Sequence, residues 1–244
     1  MLSKTSGIVL RTIKYGETSL VTNIFTSEYG VQTYLVQGVR SEKQSKNRSA
    51  FFQPAMLLDL VVYHHEQKTM QRIREFTAAH IYTSVQEHVI KNSIAIFSAE
   101  LLLRLLPENA PQKHLYDKAV AYFLKLDSLP LDAVANFPLY FIVECSRVMG
   151  YELKGSYSDA TPYLNLQEGG FTDQPPPAIP FTSDEDARML SGLLDISELE
   201  MAGTIKMNGD MRLRLMDWYI AFLHQHTQHM GSIKSLTVLR AILH

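Results

Sequence analysis

Residues Gln37 to Ser49, QGVRSEKQSKNRS, set Arg40, Lys43, Lys46 and Arg48 against one acid, Glu42, with Val39 as the sole apolar side chain. Such a stretch has little to pack with and reads as a mobile, solvated hairpin tip. Its chemistry suits a polyanion, because lysine and arginine neutralise phosphates without reading a base sequence. Arg72 and Arg74 form a second cationic pair around Ile73. In a regular strand they share one face with Cα atoms about 6.6 Å apart, near the spacing of successive phosphates in an extended chain. Arg11 and Lys14 add two more cations, on opposite faces if their strand is regular. Tyr34 and Phe51 are the aromatic candidates on which bases would stack, although Phe51 and Phe52 precede Pro54 and an apolar run, so at least one of them belongs to a core.

Other reactive side chains lead nowhere comparable. His224, His226 and His229 sit close in sequence, but residues two apart on a helix point roughly 200° away from each other. Histidines in the last turn before Gly231 are better read as partners of the helix C-terminal dipole. Cys145 is the one cysteine, so an internal disulfide and a cysteine-based zinc site are excluded, and its place within an apolar stripe makes it a small buried hydrophobe. No phosphate-binding glycine loop, nucleophile elbow or H-E-x-x-H pattern is present. The sequence therefore points to no catalytic residue, no metal and no cofactor.

These cations need a scaffold, and the first eighty residues read as strands. Ser6–Tyr15, Leu20–Ser27, Val31–Gln37, Met56–Tyr63 and Met70–Phe76 are rich in β-branched and aromatic residues, with Gly16, Gly30, Gly38 and Pro54 between them. Asp59 alternates with Met56, Leu58, Leu60 and Val62, giving that strand one buried face. Five short strands in about seventy residues suit a small closed barrel. A five-stranded OB-fold leads; an SH3-like barrel fits the pattern as well.

From about Thr83 the period becomes helical. Ile90, Ile94, Phe97, Leu101 and Leu105 form one stripe that Pro107 ends. His114–Leu126 is a second helix, and a third runs from Asn136 as N-cap to Met149, where Gly150 stops it. Residues 154–181 hold five prolines and three glycines, too many for helix, with short pieces able to pair as a hairpin. Thr182–Asp186 reads as a capping box with an acidic first turn, and a last long helix begins near Asp210. The fold class expected is α+β: residues 1–80 an OB-type barrel, residues 81–244 an all-helical domain with an irregular insert at about 154–181.

The 244 residues carry a formal charge of −2, but it is unevenly spread. Residues 1–80 hold ten Lys and Arg against six acids, whereas 81–244 hold thirteen against nineteen. A basic module joined to an acidic one suits a polyanion partner for the former alone. The longest stretch without Asp, Glu, Lys or Arg is Trp218–Ile233, which includes three His and two Gln, so no membrane helix is expected and the chain reads as cytoplasmic. A protein-interaction adaptor with the basic loop serving solubility is the competing reading.

In this order of modules the chain resembles the bacterial RecO family of DNA-repair recombination mediators. The opening GIVLRTIKYGETSLVTNIFTSEYGVQTYLVQGVR (Gly7 to Arg40) carries the resemblance, supported by Phe52-Gln53-Pro54, Met149-Gly150-Tyr151 and Lys234-Ser235-Leu236. The resemblance implies an OB-fold that binds single- and double-stranded DNA and anneals strands. It implies RecR and the acidic, apolar-ended tail of single-stranded-DNA-binding protein as partners, with RecA loaded as a result. Arg212 and Arg214 are then the candidates for the rim of a tail-binding pocket. Many family members hold a four-cysteine zinc module in the stretch corresponding to 154–181, and this chain has no cysteine there. Zinc is therefore not expected.

Overall fold

A computed structural model describes residues 1–39, 48–175, 184–227 and 230–243. The basic residues Arg40, Lys43 and Lys46, and likewise Thr182, Ser183 and His229, lie outside the described residues. Strands β1 (Leu2–Tyr15), β2 (Ser19–Thr26), β3 (Gly30–Val36), β4 (Leu57–Tyr63) and β5 (Gln71–Ala78) close a barrel in the order β1-β2-β3-β5-β4. The β3–β5 pairing is parallel and the others are antiparallel. This is the five-stranded OB-type topology expected. The first strand is longer than its sequence pattern suggests, because Leu2–Thr5 pair with Tyr63–Leu60. A register shift between Val9 and Arg11 lets β1 pair with β4 along one half and β2 along the other, since a bulge bends and twists the strand that carries it.

Alternation sorts the barrel's side chains. Val9, Ile24, Tyr34, Val36, Leu58, Leu60 and Val62 fill the interior. Gly7 is required there, as a Cβ on it would fall 2.5 Å from Ile24 Cγ2. Because β3 neighbours β5 and not β4, these two consecutive strands form no hairpin, and most of the basic loop between them lies outside the described residues. Its described part, a 3-10 turn at Arg48–Phe52, packs Phe52 into the barrel against Phe76 with ring centroids 4.7 Å apart.

Helices α1 (Val89–Leu105), α2 (Lys113–Ser128) and α3 (Phe137–Val148) follow, then a small hairpin β6–β7 (Tyr163–Asn165, Gly170–Thr172), α4 (Asp184–Leu194), α5 (Gly209–His226) and α6 (Ser235–Ile242). Most starts and stops follow the punctuation of the sequence, such as Gly150 at φ +82° behind α3 and Asn208, whose side chain accepts from Met211 N at the head of α5. Asn136 differs. It makes no cap bond; its amide donates to the carbonyls of Ala202 and Ile205 and accepts from Arg212 Nε. Asp186, in the first turn of α4, is buried beneath a two-pronged ion pair from Arg214. The described part of the insert is packed: Leu164 is buried, Lys154 N–H donates to Gly169 O, and Gly169 lies against Phe222.

The barrel and the helices share one core. Phe25 meets Tyr116 edge-on at 5.4 Å, Asn109 N–H donates to Val31 O, and Gly30 (φ +68°) approaches Ala110 so closely that a Cβ would sit 2.3 Å from its carbonyl oxygen. The connecting segment is pinned on α2. The Asp127 carboxylate accepts from the N–H groups of Thr83, Ser84 and Val85 and pairs with His80 Nε2. Lys91 spends its three donors on Ser84 Oγ and the carbonyls of Asp127 and Leu129, capping the end of α2.

Candidate nucleic-acid interface

Residues opposite each other in paired strands project from the same face, so the register shows which side chains the barrel presents together. Outward rows across β1, β2 and β3 read Ile8–Phe25–Val31, Arg11–Asn23–Thr33 and Ile13–Val21–Leu35, and Tyr15–Ser19 ends the series. The helical domain covers the first row, where Ile8, Phe25 and Val31 are buried. The remaining rows are open. Ile13 is 46% exposed and Tyr15 is 54% exposed. The last full row continues onto β5 through the Leu35–Arg72 pair and onto β4 through Arg72–Tyr63, where Tyr63 is 43% exposed. Arg72 thus stands three strands along the curved sheet from Ile13.

Two turns border this half-face at the same end of the barrel. One is Gly16–Thr18 between β1 and β2, with Gly16 at φ +60°. The other is His64–Met70 between β4 and β5, held in shape by the buried Gln71 side chain. Gln71 Oε1 accepts from His65 N–H, and Nε2 donates to the carbonyls of His65 and Lys68. Tyr63, His65, Lys68, Met70, Gln71 and Arg72 line a depression of about 410 Å³ there. The Met1 amino group foremost, then a small loss of solvation, Lys68 and His64, hold the exposed His65 imidazole below its usual range. The opposite wall is another matter. A larger depression of about 540 Å³ there carries Glu28, Asp59 and Glu75 against Lys4.

The cations singled out in the sequence are divided by this geometry. Arg11 and Arg72 share the open outward face. Lys14 pairs with the buried Leu20 and so points to the other side of β1, past the barrel's end. Arg74 is the extra residue of a bulge where Val61 faces Glu75 and Val62 faces Ile73, and its Nε lies 3.2 Å from Glu75 Oε1. The regular spacing assumed for Arg72 and Arg74 therefore does not hold. Arg48 rests its guanidinium over the Phe76 ring at 4.8 Å.

Two aromatic candidates move. Tyr34 is 0% exposed inside the barrel, on the same side of β3 as Val36, and offers no ring face to a base. Phe51 is half-buried with its ring edge-on to Phe76. Among the described residues the exposed aromatics are Tyr15 and Tyr63, which the sequence analysis did not single out although they share the outward parity of Arg11 and Asp59 respectively. Arg212 is also corrected: it is 8% exposed, its Nε donating to Asn136 and its Nη2 to Met207 O, and it forms no rim. Arg214 is tied to Asp186. An apolar groove does exist between α2 and α3, lined by Leu115, Tyr140, Phe141 and Leu199, but its lysines are spent. Lys118 pairs with Glu144 and Lys125 with Glu200.

Among the described residues no cluster of three metal-ligating side chains occurs, and no helix is long and apolar enough to cross a membrane. Cys145 is fully buried, and burial pushes its thiol well above the usual range. His226 Nε2 lies 3.1 Å from Leu166 O, against the insert hairpin.

Comparison with known proteins matches both parts of the chain. Residues 1–82 match the model "Recombination protein O N terminal", and residues 86–237 match "Recombination protein O C terminal". Proteins named DNA repair protein RecO are similar over 99% of both chains: 28% identical over 248 residues in Christiangramia forsetii, 28% over 242 in Flavobacterium psychrophilum, and 29% over 245 in Bacteroides fragilis.

Proposed function

The chain belongs to the recombination protein O (RecO) family of DNA repair proteins, and from that premise we propose that it is a non-enzymatic recombination mediator that holds single-stranded DNA on the open half-face of its barrel. One observation carries the proposal: an outward surface combining two cations, Arg11 and Arg72, with the solvent-open rings of Tyr15 and Tyr63, bordered by two turns. Bases stack on exposed tyrosines whatever their identity, while cations track the phosphates. Arg40, Lys43 and Lys46, which follow β3 in the chain, add charge to the same task.

The mechanism is electrostatic. Complementary strands repel each other, and a cationic surface that screens their phosphates lowers the barrier to pairing without making or breaking a covalent bond. Duplex product is bound through the same backbone chemistry. RecR, the tail of single-stranded-DNA-binding protein and, indirectly, RecA are the partners through which recombinase reaches the strand. The paired state of Lys118 and Lys125 argues against the α2–α3 groove as a ready-made seat for an acidic tail.

Fluorescence anisotropy of labelled oligo-dT across a salt series tests the proposal. Four to six phosphate contacts give a log–log slope of about −3 to −4, at roughly −0.7 per contact. Replacing Arg40, Lys43 and Lys46 together by Ala is expected to flatten that slope by about 2. Absence of binding at low salt would reject DNA binding and leave the adaptor reading.

A further inference from the structure

A groove of about 280 Å³ separates the barrel from the helical domain, lined by Leu10, Arg11, Thr12 and Pro54 on one side and by Ile96, Glu100, Leu103, Arg104 and Lys234 on the other. Three cations from three different elements meet in it: Arg11 from β1, Arg104 from α1 and Lys234 from the residue before α6. The one carboxylate present is already committed. Glu100 accepts from Lys234 N–H at 3.1 Å, from Ser235 N–H at 2.8 Å and from Ser235 Oγ at 2.7 Å. Burial alone would raise the Glu100 carboxyl, but these donors, with Arg104, hold it below the usual range and keep it ionised as the cap of α6.

Arg104 is under-used by the protein. Its only carboxylate contact among the described residues is Nη2 to Glu100 at 3.5 Å, and its Nε is buried without a partner. Gly231 makes room for the guanidinium, since a Cβ there would lie 3.2 Å from Arg104 Nη1. Arg11 and Lys234 make no ion pair among the described residues and are exposed. Arg11 therefore belongs to two surfaces at once, ending the open barrel row Arg11–Asn23–Thr33 and beginning this groove.

We propose that the groove is a second phosphate-binding site, taking the sugar–phosphate chain as it leaves the barrel face at Arg11 and carrying the footprint onto the helical domain through Arg104 and Lys234. It rests on the reading that the barrel face binds single-stranded DNA. The continuity at Arg11 selects a running polyanion over an isolated small anion. It also gives the acidic helical domain a local share in binding that its net charge conceals.

The test compares labelled dT6, long enough for the barrel face alone, with dT20, in a salt series on the full chain. For the parent, dT20 is expected to show the steeper slope. The double variant Arg104→Gln/Lys234→Gln is expected to lower the dT20 slope by about 1.4, two contacts at roughly 0.7 each, and to leave dT6 unchanged. Arg104→Lys, which keeps the charge, should restore part of the dT20 slope and shows that the loss is not one of folding. Identical dT20 slopes for parent and double variant, or equal losses on dT6 and dT20, would overturn the groove site while leaving the barrel reading intact. Failure of the parent to bind either oligonucleotide would instead reject the barrel reading.

Discussion

At the level of single residues, solvent exposure separates the tyrosines that can stack on a base from the one that cannot. Tyr15 and Tyr63 are open to solvent on the face that carries Arg11 and Arg72, whereas Tyr34 is sealed inside. Replacing Tyr15 or Tyr63 by Ala is expected to cost roughly 1–3 kcal/mol of oligonucleotide affinity for each stacked base lost, with little change in melting temperature. Tyr34→Ala is expected to do the reverse, costing about 3–5 kcal/mol of stability through the cavity left behind. Anisotropy and thermal melting on the three variants check this split. The correct tyrosines were legible in principle: period-two alternation puts Tyr15 with Arg11 and Ile13, and puts Tyr34 with Val36. What the sequence hid was the Leu10 bulge, which restarts the parity of β1, and the Arg74 bulge, which removes that residue from the row of Arg72. A bulge depends on the partner strand's register, which no single run of residues contains.

At the scale of elements, the strands and most helix ends were readable because glycine, proline and capping residues act locally. Less legible are the long-range bonds of polar groups, Asn136 tying residues 202–212 to α3 and Asp186 anchoring Arg214. Asp127 is the strongest case. Burial raises its carboxyl, but bonds from Val85 N–H, His80, and the Thr83 and Ser84 N–H groups outweigh this and hold it far below the usual carboxylate range. Folding lowers this pKa, so its contribution to stability is complete above the unfolded-chain value of about 3.9 and drains away as pH falls through the lower folded value. Asp127→Asn is expected to cost roughly 3 kcal/mol at neutral pH, and the gap between parent and variant should close as the medium is acidified below about pH 4. Thermal melting from pH 7 to pH 2 measures it; a gap that stays constant would contradict the assignment.

At the scale of the whole molecule, a basic barrel and an acidic helical domain are fused by one apolar core and by the clasp around Asp127 and Lys91. They are expected to unfold together. The one tryptophan, Trp218, lies buried in α5, so its fluorescence follows the helical domain while far-ultraviolet dichroism follows both; a single shared midpoint is expected, and two separated transitions would show independent domains. The charge split by halves was visible in the sequence, but which barrel wall faces the polyanion was not, since it depends on strand order and on where the helices cover the sheet. The wall of Arg11, Arg72, Tyr15 and Tyr63 is the one proposed to face DNA. It is tested most directly by photo-cross-linking a 5-iododeoxyuridine-substituted single strand to the full chain and mapping the adducts by mass spectrometry. The account requires adducts at Tyr15 and Tyr63; adducts confined to the acidic wall of Lys4, Asp59, Glu75 and Phe76 would contradict it.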